Sequence, residues 1–133
     1  MGPERRTPER LLPVLDELRE REPLFHHRRF GTSVEATFAQ TDPDFWEVGA
    51  SGRRYSRQYV AETRANAWAS GPEPWEGGGW STSDFCCQEL GADLYLLTYT
   101  SQEPDRLTRR CTIWKRGGPT GWLIVFHQGT IVA

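Results

Sequence analysis

Asp44-Phe45-Trp46-Glu47-Val48-Gly49-Ala50-Ser51-Gly52-Arg53-Arg54-Tyr55-Ser56 is the stretch on which the fold of this chain turns. Phe45 to Val48 place large side chains on both faces of an extended segment, Ala50-Ser51-Gly52 is turn chemistry, and Arg53 to Tyr55 reads as a short return strand. Ser56 stands where a helix N-cap belongs, because its hydroxyl can accept from the N–H groups that a first helical turn leaves without partners. The helix that follows carries Tyr59, Val60, Thr63 and Ala67 on one side. A hairpin thus runs directly into a helix.

Toward the C-terminus the helix fades into Ser70-Gly71-Pro72, and Gly71 to Gly79, with Pro72, Pro74 and a run of glycines, reads as an exposed connector, with a lid over a pocket as the alternative. From Trp80 onward the apolar period becomes two. It predicts strands over Ser81 to Leu90, Ala92 to Gln102, Leu107 to Arg116 and Gly121 to Gly129, joined by turns at Gly91-Ala92, Pro104-Asp105 and Gly117-Gly118-Pro119. Toward the N-terminus, residues 1 to 6 read as a frayed tail, and Thr7 followed by Pro8 offers an N-cap with proline at the first helical position. Leu11, Leu12, Leu15, Leu18 and Phe25 recur at helical spacing, so a first helix, bent at Pro13 and Pro23, is expected to end near Arg29. Thr32 or Ser33 caps a second helix through Glu35, Phe38 and Ala39, closed by a Thr41-Asp42-Pro43 turn. Helices, one hairpin, a helix and a four-strand meander give a single α+β domain over residues 1 to 133, with helices on one face of a curved antiparallel sheet.

A domain of 133 residues buries enough apolar surface to need neither disulfide nor metal staples. The longest uninterrupted apolar run, Trp122 to Phe126, is far short of the roughly 20 residues that cross a bilayer. The charged first ten residues lack a signal-peptide core, and a soluble cytoplasmic protein with no membrane partner is the expectation. Sixteen basic against eighteen acidic residues, net charge −2, leave no excess positive charge for a phosphate backbone, so nucleic acid is not expected as a partner. Cys86, Cys87 and Cys111 are odd in number and read as reduced thiols. A metal site is not expected, since Cys86 and Cys87 diverge on a strand, His26 and His27 diverge on a helix, and no paired-ligand spacing occurs. Neither a phosphate-cradling loop nor a dinucleotide fingerprint is present, and no cofactor is expected.

The hairpin phrase at 44–56, together with Phe126-His127-Gln128-Gly129-Thr130, Glu22-Pro23-Leu24-Phe25-His26 and Arg109-Arg110-Cys111-Thr112-Ile113-Trp114, resembles the nuclear transport factor 2-like superfamily. More narrowly, it is similar to a bacterial branch of unknown function close to the SnoaL-like proteins. The resemblance runs from about Leu11 to Ala133. It implies a cone, that is, a curved sheet wrapped around the N-terminal helices, with an enclosed hydrophobic pocket and a homodimer formed through the outer sheet face. The same cone serves isomerases, dehydratases, epoxide hydrolases and polyketide cyclases as well as plain binding or scaffold domains, so the fold does not fix the chemistry.

Within a cone, His127 and Gln128 on a late strand, Glu47 in the first hairpin and His26 at the end of the first helix are expected to come toward one pocket. An imidazole and a carboxylate are the groups that move a proton beside a carbonyl, and His127 with Glu47 is the leading catalytic pair. Tyr55, Tyr99 and Trp114 are candidate donors to a developing oxyanion. Trp46, Trp80, Trp114, Trp122, Phe45, Phe85 and Phe126 either line an aromatic pocket or fill the core, and strand alternation puts Trp114 and Thr112 on one face, Ile113 and Cys111 on the other. Candidate ligand-binding residues are therefore His26, Trp46, Tyr55, Tyr99, Trp114 and Gln128. Two functional classes stay open. One is a cofactor-independent acid–base enzyme (isomerase, dehydratase or cyclase type) acting on a small hydrophobic carbonyl compound. The other is a non-catalytic small-ligand-binding or dimeric interaction domain, in which His127 only locks the end of the sheet.

Overall fold

A computed structural model describes residues 1–23, 27–70 and 79–133. A 3-10 turn (Glu9–Leu11) leads into α1 (Leu12–Arg19), followed by α2 (Val34–Ala39), β1 (Thr41–Val48), β2 (Arg54–Ser56), α3 (Arg57–Ser70), β3 (Ser81–Gly91), β4 (Leu94–Gln102), β5 (Leu107–Arg116) and β6 (Trp122–Ile131). The six strands form one sheet in the order β2-β1-β6-β5-β4-β3.

The hairpin, the third helix and the four late strands lie where the sequence put them. Ser33 and Ser56 are the caps: their Oγ atoms accept from the backbone N–H of Ala36 at 3.0 Å and of Tyr59 at 3.1 Å. The sheet is mixed rather than wholly antiparallel, because β1 and β6 run parallel while every other neighbouring pair is antiparallel. The cause is connectivity. The α3 connection carries the chain from one edge strand, β2, to the other, β3, and three hairpins then bring β6 back alongside β1 in the same direction. Period-two patterning identifies strands but carries no information about which way a non-sequential neighbour runs.

The first helix is shorter than expected and ends at Arg19, not near Arg29. Pro23 disfavours helical backbone at the residue before it and has no N–H to continue the ladder, so Glu22 leaves the helix and turns inward. Thr7 does not cap this helix; its hydroxyl instead accepts from the N–H of Cys87 at 3.1 Å on β3, an edge strand. The segment Thr41-Asp42-Pro43 is the start of β1 and not a turn, and Pro43 falls where the β1–β6 register shifts, a place at which a missing donor is tolerated.

The core lies between the helices and the inner sheet face. Leu11, Val14, Leu15 and Leu18 meet Cys87, Tyr95, Leu97, Tyr99, Trp114, Trp122 and Ile124. Toward the β1 end the core thins to Phe45 and Val60, and a cavity opens there. Among the described residues, no helix is long and apolar enough to cross a membrane.

Candidate functional site

The cavity has a volume of about 530 Å³ and is bounded by β1, β2, α3 and the ends of β4, β5 and β6. One row of the sheet supplies its floor. Tyr55 pairs with Glu47, Glu47 with His127, His127 with Thr112 and Thr112 with Leu97, so these five side chains share a face in order across five strands. The row passes from the cavity into the closed core within two residues, since Thr112 and Leu97 are fully buried.

Glu47 and His127, the two residues expected to act together, do lie side by side on the cavity wall. Their circumstances differ. Among the described residues no hydrogen bond or ion pair reaches the Glu47 carboxylate; burial pushes its pKa up to about 7, against a smaller downward pull from Arg110. His127 is only 5% exposed and is bonded at both ring nitrogens. Nδ1 lies 2.7 Å from Thr112 Oγ1, and Nε2 lies 3.3 Å from Arg110 Nη1.

Arg110 is committed in three directions. Nε donates to Thr108 Oγ1 at 3.0 Å, Nη1 faces His127, and Nη2 donates to Glu103 Oε1 at 3.3 Å. Its guanidinium lies against Gly129, where a Cβ would sit 3.1 Å from Nη1, close enough that the guanidinium would have to shift by a few tenths of an ångström. Glu103, 3% exposed, also pairs with Arg106, and both line the cavity. Below this layer lies Glu22, 4% exposed, whose carboxyl group accepts from Tyr99 Oη at 2.7 Å and Trp114 Nε1 at 3.1 Å. Burial pushes its pKa up, and hydrogen bonds from Thr112, Tyr99 and Trp114 pull it partly back. Tyr55 and Tyr59 stack at 5.1 Å and form an aromatic side wall with Trp68 and Trp80.

Of the expected ligand-binding residues that are described, Tyr55 alone is brought to the cavity surface. Tyr99 and Trp114 are buried beneath it and reach it only through Glu22. Trp46 and Gln128 point to the opposite face of the sheet, because each adjoins an inward-facing residue on its strand, Glu47 and His127 respectively. Trp46 is 44% exposed there, with its ring 4.8 Å from that of Phe126. His26 and residues 71–78, the stretch read as connector or lid, lie outside the described residues. The aromatic cluster divides likewise: Phe45, Trp114 and Trp122 fill the core, and Trp80 alone of that group lines the cavity.

Sequence reasoning missed Glu22, Glu103, Arg110 and Tyr59 as parts of the site. Arg110 was within reach, since it sits two residues before Thr112 and so faces inward with it. Glu103 and Glu22 carry no such signal, since each lies beyond the end of a regular element.

No described protein family and no curated protein matches the chain. Solved structures do. A Burkholderia xenovorans protein with a cystatin-like fold aligns with a TM-score of 0.66 at 19% identity, covering 99% of this chain and 98% of that one. A Parabacteroides distasonis protein, whose name proposes it as a ketosteroid isomerase, aligns at 0.63 and 11% identity, over 96% and 95% of the two chains. An NTF2-like protein of unknown function in nutrient uptake from Rhodospirillum rubrum aligns at 0.57 and 15%, over 92% and 98%. The fold is thus the α+β cone of the nuclear transport factor 2-like proteins, as the sequence resemblance implied. Identities this low establish the architecture and leave the chemistry to the site.

Proposed function

We propose that this chain is a cofactor-independent acid–base enzyme of isomerase, dehydratase or cyclase type, acting on a small hydrophobic carbonyl compound, with Glu47 as the proton carrier. The observation that carries the reading is the Glu47 carboxylate itself, exposed to the cavity, without a hydrogen-bonding partner among the described residues, and poised near neutrality. A base is most effective when its pKa lies near the working pH. In the reaction envisaged, the carboxylate removes the proton from the carbon beside the carbonyl, and the C–H electron pair becomes the enolate π-bond as charge moves to oxygen. Glu47, now neutral, returns the proton to another carbon. Tyr55 and Tyr59 are the hydroxyl donors placed on the wall for that oxygen. His127, with both nitrogens engaged, positions the floor and does not exchange protons itself.

The assay is hydrogen exchange. A panel of enolisable cyclic and aromatic ketones is incubated with the protein in deuterated buffer, and deuterium gain beside the carbonyl is followed by proton NMR. Exchange of at least one ketone, lowered roughly a hundredfold or more in Glu47→Gln, is the expected result. Equal exchange in both proteins, or a Glu47 carboxyl carbon that titrates in the ordinary range near 4.3, removes Glu47 from the role. Ketone binding without exchange would mark the cavity as the binding site of the alternative class.

We also propose that a second copy of the chain covers the outer sheet face. Leu96, Ile113, Phe126 and Trp46 are register partners in sequence across β4, β5, β6 and β1, an unbroken apolar row on the face turned away from the core.

A further inference from the structure

Arg5 lies within residues 1 to 6, the stretch read as a frayed tail, yet its guanidinium is held at four points on the sheet. Nη1 pairs with Asp84 Oδ2 at 2.8 Å. Nη2 donates to the carbonyl oxygens of Asp84 at 3.1 Å and Thr98 at 3.3 Å, and to Thr98 Oγ1. The seat it fills is a β-bulge. Between the pairs Ser83–Thr100 and Cys86–Thr98, Asp84 and Phe85 on β3 face the single residue Tyr99 on β4, so the ladder is interrupted there. Asp84 takes a φ of +60°, a conformation native to glycine that aspartate tolerates better than most residues. Its carboxylate and its carbonyl oxygen are thereby turned to one guanidinium.

Two further contacts continue along β3 in the same direction. The Thr7 hydroxyl accepts from the N–H of Cys87 at 3.1 Å, and Arg10 pairs with Glu89 at 3.3 Å. Residues 5, 7 and 10 thus meet 84, 87 and 89 in order, and Leu11, next along, is packed into the core. Among the described residues β3 has a strand, β4, on one side only. The Thr7 contact shows that the N–H of Cys87 points to the other edge. Backbone groups alternate along a strand, so those of Glu89, two residues on, point the same way. An edge of this kind, on a strand of 11 residues, is a template for another strand.

We infer that residues 5–10 are a strap that closes the β3 edge, and that the occupant it excludes is β3 of a second copy, paired antiparallel about Cys87. In that register the N–H and C=O of Cys87 meet those of its symmetry mate, which makes the contact self-complementary and closed at two chains. Glu89 falls opposite Phe85 and Gln88 opposite Cys86, so no acid faces an acid. This contact lies at the edge of the sheet, apart from the outer face on which the Leu96–Ile113–Phe126–Trp46 row lies.

The test is sedimentation equilibrium in a Trp46→Asp background, which breaks association through the outer face whether or not that association occurs. Arg5→Ala with Thr7→Val releases the strap, and neither residue belongs to the buried core. Trp46→Asp alone is expected at the single-chain mass of 15.2 kDa, and the strap-released protein is expected to move toward twice that mass as its concentration rises. Adding Glu89→Pro removes an N–H that faces the free edge and not β4, and should return the single-chain mass. A strap-released protein that stays at the single-chain mass, or whose association survives Glu89→Pro, overturns the inference. A second measurement does not depend on the released protein folding. Amide hydrogen exchange at Cys87 should be about tenfold faster in Thr7→Val than in the wild type, and equal rates would show that the strap is not seated on β3 and overturn the inference as well. Neither measurement involves a ketone, so the outcome is independent of the role given to Glu47.

Discussion

Glu47 links stability and chemistry in a single residue. Its carboxyl has a folded-state pKa of about 7, above the ordinary 4.3 of an unfolded chain. Below about pH 4 both states hold the proton and nothing is lost. As the pH rises from there to 7, the unfolded chain releases its proton while the folded one retains it, so stability falls across that interval. The whole fall is at most about 4 kcal/mol, at 1.36 kcal/mol per pH unit. Glu47→Gln carries no such group. It should match the wild type in urea unfolding near pH 4 and exceed it by about 1 to 3 kcal/mol at pH 8, while losing exchange activity. A variant no more stable than the wild type at pH 8 would show that the carboxylate is solvated in place. At this scale the sequence was informative wherever alternation alone decides a face, as for Glu47 and His127. It failed for Trp46 and Gln128, one residue along each strand, because proximity in sequence to a site residue puts a strand neighbour on the wrong side. It failed for Glu22 because a carboxylate beside a proline in a charge-rich segment looks like a solvated one.

The elements depend on local signals of measurable size. Ser33 and Ser56 each satisfy one N–H at the start of α2 and α3. Replacing either with alanine should cost about 1 kcal/mol, read as a lowered urea midpoint with unchanged slope. The two losses should have different consequences. Ser56 ends β2 and starts the helix that bears Tyr59, so Ser56→Ala should also weaken ketone exchange, whereas α2 contributes no residue to the cavity wall and Ser33→Ala should leave exchange intact. Equal exchange in both variants would separate the entry of α3 from the site. These caps, the hairpin and the meander were legible because each rests on residues a few positions apart. The end of α1 was misread because the apolar spacing through Phe25 outweighed Pro23, whose exclusion of helical backbone at Glu22 is the stronger constraint. The parallel β1–β6 pair joins segments separated by most of the chain, and no local pattern encodes it.

At the scale of the whole molecule the two faces of the sheet have opposite problems to solve. The inner face closes a core over α1 and leaves a cavity beside α3, and the Tyr55–Glu47–His127–Thr112–Leu97 row runs from the one into the other. Among the described residues no helix lies over the Leu96–Ile113–Phe126–Trp46 row on the outer face, and Trp46 is left 44% exposed at its end. Stable association buries about 800 Å² per partner and concentrates its energy in a few aromatic anchors near the centre. Trp46 against Phe126 has that character, and β1 and β6, which bear them, also carry Glu47 and His127 on the reverse side. Covering the outer face would therefore stiffen the strands that hold the site. Sedimentation equilibrium at about ten micromolar should give twice the 15.2 kDa chain mass for the wild type, and Trp46→Asp should give a monomer with unchanged far-ultraviolet ellipticity. If stiffening matters, the monomeric variant should retain the Glu47 titration near 7 but lose exchange rate severalfold, since its cavity is intact while the strands beneath it are freer. A wild-type protein that sediments at the single-chain mass would leave the outer row an exposed surface and would make the cavity the property of one chain alone.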